Sequence, residues 1–235
     1  MKKALLASTS TLHGQGYLEY LIPEIKIFFD GVSEVLFIPY ARPGGISLDK
    51  YTKMAAIAFS KAGLKLKGIQ EYQDPAEAVK NAEAIFTGGG NTFLLVTQLY
   101  RKKVMKVLQE AILSSTPYMG TSAGTNIAGL TMQTTNDMPI IYPPSFKTLG
   151  VVPFNINPHY LDPDKNSTHK GETRETRIKE FHTLNTQPVI GLREGSWLEV
   201  SGDKITLKGK PEARIFKPEQ VPFEVETATS LKNLH

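Results

Sequence analysis

A serine between glycines stands near the middle of the chain, at Ser122 in the pentapeptide Gly-Thr-Ser-Ala-Gly at positions 120–124. An apolar stretch leads into it and a small-residue segment, 125–130, leads out and is typical of the opening of a helix. The pattern G-x-S-x-G at a strand-to-helix junction is typical of a serine nucleophile, because the glycines allow a tight turn that lifts the side chain above the sheet. The N–H groups at the start of the following helix favour a developing negative charge. We therefore predict a nucleophile at Ser122; the alternative is an ordinary Gly-Ser loop.

A nucleophilic serine needs a general base, and the sequence favours His159 among five histidines. His159 follows Pro158, whose ring fixes the local backbone, and a general base depends on a held geometry. The other four lie in a predicted helix, in polar loops or at the last position: His182, His13, His169 and His235. We therefore predict that His159 accepts the proton of Ser122.

Two carboxylates are candidates to orient the base, and the sequence leaves both open. Glu194 comes directly after a predicted strand, whereas Asp137 lies in a loop soon after the nucleophile. Either could instead be a plain turn or surface carboxylate. The order Ser122, Asp137, His159 is also the order of an α/β-hydrolase, although the short sheet and modest length fit that superfold less well.

A tetrahedral intermediate also needs donors for its oxyanion. The run Gly88-Gly89-Gly90 follows a predicted strand and precedes the nucleophile, although glycine runs are also common turns. We predict that the N–H groups of Gly90 and Ala123 form the oxyanion hole.

The elements that must position these residues alternate between strand and helix through the first half of the chain. Apolar runs predict strands at 3–7, 35–39, 64–69 and 84–87, and a further strand that leads to Ser122. Helical spacing predicts helices at 16–29 and 48–62, a short one opening at Asp74-Pro75, and helical segments through about residue 113. Such alternation is typical of an α/β fold with a mostly parallel sheet covered by helices on both faces. Ligands of such sheets bind at the carboxyl ends of the strands, where Gly88–90 and Ser122 lie.

The second half is looser. The sequence predicts a helix at 172–184 and a strand at 189–192. Short strand runs at 197–200, 204–207 and 213–216, separated by glycine-containing turns, predict C-terminal β-hairpins. No linker or repeat interrupts the chain, so we expect a single domain over residues 1–235.

Composition limits the function classes. The 235 residues are 40% apolar, and 27 basic against 23 acidic side chains give a net charge of +4. Because the basic residues are scattered, we expect no nucleic-acid or membrane partner. The absence of cysteine excludes a disulfide scaffold and a thiolate nucleophile. The apolar run at the N-terminus is too short for a signal peptide and no stretch has the length of a transmembrane helix, so we predict a cytoplasmic protein, of unspecified oligomeric state.

Several motifs in one order give the chain a wider resemblance. They are Gly-Gly-Gly-Asn-Thr-Phe at 88–93, Ser-Ala-Gly at 122–124, Thr-Thr-Asn-Asp-Met-Pro-Ile at 134–140, Ile-Asn-Pro-His at 156–159, His-Lys-Gly-Glu-Thr-Arg at 169–174 and Gly-Leu-x-Glu-Gly at 191–195. With them the chain resembles, nearly end to end, the peptidase E (aspartyl dipeptidase) family of serine peptidases. The resemblance implies a flavodoxin-like fold similar to class I glutamine amidotransferase domains.

The resemblance also implies an activity, the cleavage of dipeptides and short peptides with an N-terminal aspartate by Ser122, His159 and an acid. Asp137 and Glu194 both match family positions with charge-relay or supporting roles. Arg174 matches a motif position and is the candidate to bind the substrate carboxylate, since a guanidinium suits a carboxylate; it could equally be a helix-surface residue. A small peptide is the expected partner, and this chemistry calls for no metal and no cofactor.

Two departures from the family concern the pocket. Thr121 replaces an aromatic residue that is common beside the serine, and the loop at 161–168 differs in length. Two alternatives to an aspartyl dipeptidase stay open: a peptidase of the same fold that acts on polymeric aspartyl backbones, as cyanophycin-degrading enzymes do, and a catalytically silent module that binds a small ligand.

Overall fold

The computed structural model describes residues 1–163, 171–232 and 234 of the chain. A mostly parallel sheet forms its centre. Five parallel strands come from the first half of the chain: β1 (Lys3–Ala7), β2 (Glu34–Ile38), β3 (Lys65–Gly68), β4 (Ala84–Thr87) and β5 (Tyr118–Thr121). The order across the described part of this sheet is β3-β2-β4-β5-β1, so the strand that leads to Ser122 is flanked on both sides.

Helices cover both faces of this sheet, as predicted. They are α1 (Ile22–Phe28), α2 (Leu48–Lys61), α3 (Pro75–Lys80), α4 (Thr92–Arg101), α5 (Val104–Leu113) and α6 (Ala123–Asn126). A further helix, α7 (Arg174–Phe181), packs elsewhere, through Ile178 against Val189 and Phe216. Alternate residues of each strand enter different apolar clusters: Leu5 packs with α1 and α2, whereas Leu6 packs with α3 to α5. Strands buried on both faces explain the continuous apolar runs of the sequence.

The predicted hairpin between residues 197 and 207 is present as β8 (Ser196–Ser201) and β9 (Lys204–Gly209), which extend the central sheet beyond β1 in antiparallel fashion. The next predicted strand pairs elsewhere. β10 (Ala213–Phe216) lies antiparallel to β7 (Val189–Leu192) and to β11 (Phe223–Val225) in a second sheet, because the chain leaves β9 at Gly209, whose φ is +95°.

The second sheet also contains a strand that the sequence analysis did not predict. β6 (Asn155–Pro158) runs parallel to β7, and the order of the described sheet is β11-β10-β7-β6. Two of its four residues are asparagines, which are depleted in strands, so neither propensity nor alternation marks it. The buried asparagine side chains are hydrogen-bonded instead, as in the bond from Asn155 Nδ2 to Thr131 Oγ1.

Three helices differ from their predicted bounds. The helix predicted at 16–29 begins only at Ile22, after a short 3-10 turn, because Leu18 has a left-handed φ of 58° and Pro23 supplies no N–H. The helix predicted at 172–184 is α7 and spans Arg174–Phe181. The helix predicted to open at 125–130 is the single turn α6, since Leu130 N–H donates to the carbonyl oxygen of Phe154 at 3.4 Å instead of continuing a helix.

Parts of the sequence analysis lie outside the described residues. They are His169, His235 and, from residue 164 on, the loop at 161–168. Thr121, the other departure from the family, is fully buried. The expectation of a single domain stays a prediction.

Candidate active site

Ser122 occupies a sharp turn between β5 and α6, with φ of 53° and ψ of −111°. Both flanking residues must be glycine, because neighbouring backbone atoms lie too close to leave room for a Cβ. A Cβ on Gly120 would lie 2.5 Å from the carbonyl oxygen of Gly124, and a Cβ on Gly124 would overlap the carbonyl oxygen of Thr87 on β4. The G-x-S-x-G pattern therefore lets the turn pack directly against the neighbouring strand.

The turn is fixed to the end of β1. The N–H of Ser122 donates to the carbonyl oxygen of Ala7 at 3.2 Å. The hydroxyl of Thr125 lies 2.6 Å from the same oxygen and 2.8 Å from the carbonyl oxygen of Gly120, close enough to donate to either. These buried contacts oppose relaxation of the turn, so the serine side chain has a defined direction.

His159 follows β6 directly, and its own φ is also 53°. Its N–H donates to Ser8 Oγ at 2.9 Å, and the Ser8 hydroxyl donates to the carbonyl oxygen of Leu192 at 2.7 Å. Ser8 therefore joins the carboxyl ends of β1, β6 and β7. The sequence analysis missed Ser8, although a polar run directly after the first buried strand is the signal that could have found it.

The side chains of Ser122, His159 and Glu194 form a chain of two hydrogen-bond contacts. His159 Nε2 is 2.9 Å from Ser122 Oγ, and His159 Nδ1 is 2.6 Å from Glu194 Oε1. A Glu194 carboxylate accepts a hydrogen bond from Nδ1–H, which leaves the lone pair of Nε2 free to accept the serine proton. This is the arrangement that a nucleophile and its general base require.

Glu194 lies at the rim of the site, where its side chain is 45% exposed and that of His159 is 34% exposed. The neighbouring Arg193 holds this segment in place. Its guanidinium donates to both carboxylate oxygens of Asp162, at 2.8 and 2.7 Å, and to Glu224 at 2.8 Å. Arg193 lowers the pKa of both carboxyl groups below their ordinary values.

Asp137 is hydrogen-bonded to other partners than His159. Its Oδ2 accepts hydrogen bonds from the N–H of Thr92 at 2.7 Å, from the Thr92 hydroxyl at 2.6 Å and from the Thr135 hydroxyl at 3.0 Å. In the described part of the chain its side chain makes no hydrogen bond to His159. Of the two acids that the sequence left open, Glu194 is the one in contact with the imidazole.

Side-chain bonds fix the segment of Asp137 to the strand that carries His159. Asn136 Nδ2 donates to the carbonyl oxygen of Pro158 at 2.7 Å, and Asn157 Nδ2 donates to Asn136 Oδ1 at 2.7 Å. Thr134 Oγ1 donates to the carbonyl oxygen of Ile156 at 2.9 Å. The Asp137 carboxylate therefore has a fixed position relative to the imidazole, although the two do not touch.

A cavity of about 220 Å³ opens beside the serine. Its lining is Thr92, Ser122, Ala123, Thr135, Asn136, Asp137, Pro158, His159 and Arg174. Thr121 is not among these residues, so the departure beside the serine faces the core.

Arg174 is the cation of this cavity and begins α7. Its side chain makes no ion pair or hydrogen bond with any residue that the structure describes. Burial, together with the charge of Arg177, lowers the pKa of Arg174, and the charge of Asp137 acts in the opposite direction. A partly buried guanidinium at the rim of a cavity can bind a carboxylate in bidentate fashion.

One predicted oxyanion donor, Ala123, follows the serine directly, and the other, Gly90, belongs to a glycine run beside it. A Cβ on Gly89 would lie 2.9 Å from Ser122 Cβ, so the glycine run after β4 packs against the serine. Gly90 has a φ of +145°, and a Cβ there would overlap the carbonyl oxygen of Ala41. Within residues 1–163, 171–232 and 234, the N–H groups of Gly90 and Ala123 donate to no acceptor.

Metal-binding clusters and membrane-spanning helices are absent from the described residues. No group of three or more His, Asp or Glu side chains among them is arranged to hold a metal ion. No helix among them combines the length and apolar character needed to cross a membrane.

Comparison with known sequences gives concordant matches. Residues 4–208 match the sequence model of Peptidase family S51. A protein from Streptomyces coelicolor named Peptidase E is 48% identical over 230 residues, which cover 98% of this chain and 93% of that protein. A Drosophila melanogaster protein named Probable alpha-aspartyl dipeptidase is 47% identical over 219 residues, covering 92% of this chain and 90% of that protein.

Comparison with solved structures supports the fold. A peptidase from an acI-B1 Actinobacterium superimposes with a TM-score of 0.72 at 19% identity, covering 98% of this chain and 96% of that one. A putative peptidase E protein from Listeria monocytogenes gives a TM-score of 0.67 at 21% identity, covering 90% of this chain and all of that one. The predicted α/β architecture is thus confirmed, with neighbours consistent with a flavodoxin-like fold.

Proposed function

The chain belongs to peptidase family S51, and from that premise we propose that it hydrolyses dipeptides and short peptides with an N-terminal aspartate, using Ser122 as the nucleophile. The line of side chains Ser122, His159 and Glu194 supports this proposal most directly. A silent ligand-binding module has no use for a serine within 2.9 Å of a carboxylate-bound histidine. The names of relatives more than 40% identical do not favour a cyanophycin-degrading enzyme.

In the proposed reaction, Ser122 Oγ attacks the carbonyl carbon of the aspartyl residue while His159 Nε2 takes its proton. The imidazolium that forms donates a hydrogen bond from Nδ1–H to Glu194, and the carboxylate stabilises the positive charge without taking the proton. His159 then returns a proton to the leaving amine, and an ester joins the aspartyl group to Ser122. Water, deprotonated by His159, hydrolyses this ester in the second half of the reaction.

The N–H groups of Gly90 and Ala123 are the proposed donors to the oxyanion of each tetrahedral intermediate. Donors already oriented in the free enzyme stabilise charge that appears only during the reaction, and loss of one such donor reduces kcat by roughly 10²–10³-fold in other hydrolases. The left-handed backbone of Gly90 sets the direction of its peptide group, which a residue with a side chain could not adopt beside Ala41.

Arg174 is the proposed partner of the aspartyl side chain of the substrate. A carboxylate that enters a small cavity loses water, so it requires a paired cation. The part of Arg174 that is exposed faces the same cavity as Ser122. The cytoplasmic location and the absence of nucleic-acid partners stay predictions.

Two measurements on the whole chain test the proposal. A fluorophosphonate probe should label Ser122, and the Ser122→Ala variant should not react. A panel of dipeptides X-Leu, with X varied, should show hydrolysis of Asp-Leu well above that of Ala-Leu or Lys-Leu. Labelling without hydrolysis of any Asp-X dipeptide would contradict the proposed substrate class but not the role of Ser122 as a nucleophile. Failure of labelling in the folded protein would remove the mechanism.

A further inference from the structure

Asp137 lies in the active-site cavity, yet the catalytic line of Ser122, His159 and Glu194 is complete without it. We propose that Asp137 binds the α-ammonium group of the substrate and so selects peptides with a free N-terminus. This inference rests on the proposed function, because it assigns a partner to the second charge of an N-terminal aspartyl residue.

The first observation is the direction of the carboxylate. Asp137 Oδ2 takes all three hydrogen bonds, from two groups of Thr92 and from Thr135. Among the residues that the structure describes, Oδ1 has no donor. A carboxylate offers about four acceptor sites, so this side chain retains capacity for a further donor. Since Asp137 lines the cavity, that donor can come from a bound substrate.

The second observation is the relation between Asp137 and Arg174. Both line the same cavity, and the charge of Asp137 influences the pKa of Arg174. They nevertheless form no ion pair within 4.0 Å, whereas Arg193 and Arg214 each pair with carboxylates nearby. Each charge is therefore available to a ligand, and each would be costly to enclose without a partner.

The third observation is the match to the substrate. In an N-terminal aspartyl residue, Cα bears the scissile carbonyl and the ammonium group. Its third substituent is the CH2 group that carries the side-chain carboxylate, so the two charges lie close to the scissile carbonyl. A cavity with one anion and one cation beside the nucleophile complements this pair of charges. Its volume of about 220 Å³ is below the roughly 300–1,000 Å³ of pockets for drug-sized ligands, and suits one amino-acid residue.

The position of Asp137 is built for such a contact. Hydrogen bonds attach its segment to β6, and Asn91 Nδ2 donates to the carbonyl oxygen of the next residue, Met138, at 2.9 Å. Thr92 is the first residue of α4, so the carboxylate caps a helix N-terminus and its negative charge is stabilised there. An acylated or internal aspartate has no ammonium and would leave Asp137 unpaired beside the substrate. The contact therefore selects N-terminal residues.

The test compares Asp-Leu with succinyl-leucine, which is Asp-Leu with hydrogen in place of the ammonium. The variant is Asp137→Asn, whose amide oxygen can still accept from Thr92 and Thr135. The control is Asp203→Asn, the same change in the exposed turn between β8 and β9, at the opposite end of the sheet. Wild type should prefer Asp-Leu. In Asp137→Asn, kcat/KM for Asp-Leu should fall by about 30-fold or more, mostly through KM, and that for succinyl-leucine by much less.

The rate of fluorophosphonate labelling of Ser122 gives a second measurement that does not depend on substrate charge. It should match wild type in Asp137→Asn, because Asp137 does not touch His159. Equal losses of kcat/KM on both substrates, or slow labelling, would show that Asp137 supports the catalytic groups or the loop and would overturn the inference alone. Wild type that labels but hydrolyses neither substrate would overturn the proposed function and this inference with it.

Discussion

Ser122 and His159 both have a positive φ, of 53°, and their side chains meet at 2.9 Å. Residues with a Cβ seldom occupy this region, and each such residue stores roughly 1–3 kcal/mol of strain. The carboxyl end of β1 holds both in place, since Ser122 N–H donates to the carbonyl oxygen of Ala7 and His159 N–H donates to the hydroxyl of Ser8. The geometry of this pair of side chains is thus stabilised by its surroundings against local relaxation.

Replacement of Ser122 should separate activity from stability. Ser122→Ala and Ser122→Gly should both lose hydrolysis of Asp-Leu, by roughly 10⁴-fold or more, because the nucleophile is gone. Glycine relieves the backbone strain that alanine retains, so the free energy of unfolding of Ser122→Gly should exceed that of Ser122→Ala by about 1 kcal/mol. Urea titration of both variants measures the difference. Equal stabilities would mean that the turn is not strained.

Glu194→Gln should slow the chemistry itself. An amide cannot stabilise the imidazolium and can favour the wrong tautomer, so kcat for Asp-Leu should fall by roughly 100-fold or more. Labelling of Ser122 by a fluorophosphonate should slow as well, because it also requires proton transfer to His159. Glu199→Gln, the same change at an exposed position of β8, is the matched control. Slower labelling in Asp137→Asn than in Glu194→Gln would reverse the roles assigned to the two acids.

Some parts of this site could be predicted from the sequence, and others could not. The strand-to-helix pattern predicted the turn at Ser122, and the glycine run after β4 predicted a close approach to that turn, because buried parallel strands and tight turns have local signatures. β6 had none: its buried asparagines are stabilised by bonds to residues about 20 positions away, such as Thr134 and Asn136. The choice between Asp137 and Glu194 was open for the same reason, since only the pairing of β6 with β7 brings Glu194 to His159.

The pairing of Arg193 with Asp162 and Glu224 predicts an acid-dependent loss of stability. The pKa of each carboxyl group is lower in the folded state than in the unfolded chain, so its contribution is present above the unfolded pKa and is lost as the pH falls through the folded pKa. Arg193→Met removes the cause of the shift. The difference in unfolding free energy between wild type and Arg193→Met should therefore be largest near pH 7 and shrink below about pH 4.

Urea titrations of both proteins at pH 7, 5 and 3.5 measure this difference. Lys208→Met is the control, since Lys208 pairs with Glu199 only at 4.0 Å on an exposed strand surface. A difference for Arg193→Met that does not change with pH would mean that the arginine stabilises by packing on Tyr160, whose ring lies 5.5 Å from the guanidinium, and not by charge.

Arg174 is the side chain that should select aspartate over its neutral analogue. In Arg174→Met, kcat/KM for Asp-Leu should fall, because a substrate carboxylate would enter the cavity without a cation. The fall should correspond to a loss of roughly 2 kcal/mol or more of transition-state stabilisation. The loss for Asn-Leu should be much smaller, since its amide carries no charge to leave unpaired. Kinetics of both dipeptides on both proteins give a two-by-two comparison of one substitution and one substrate change. The interaction energy between the two changes is the quantity tested.

Arg177→Met provides the matched control for this measurement. Arg177 lies one turn further along α7, is 53% exposed and interacts with Glu172 at 3.6 Å, and it does not line the cavity of Ser122. Its replacement removes one positive charge from the same helix, so a general field effect would reduce Asp-Leu hydrolysis in both variants. A loss confined to Arg174→Met and to Asp-Leu identifies direct pairing. Equal losses for Asp-Leu and Asn-Leu would mean that Arg174 stabilises the start of α7, and another cation would then have to select the substrate.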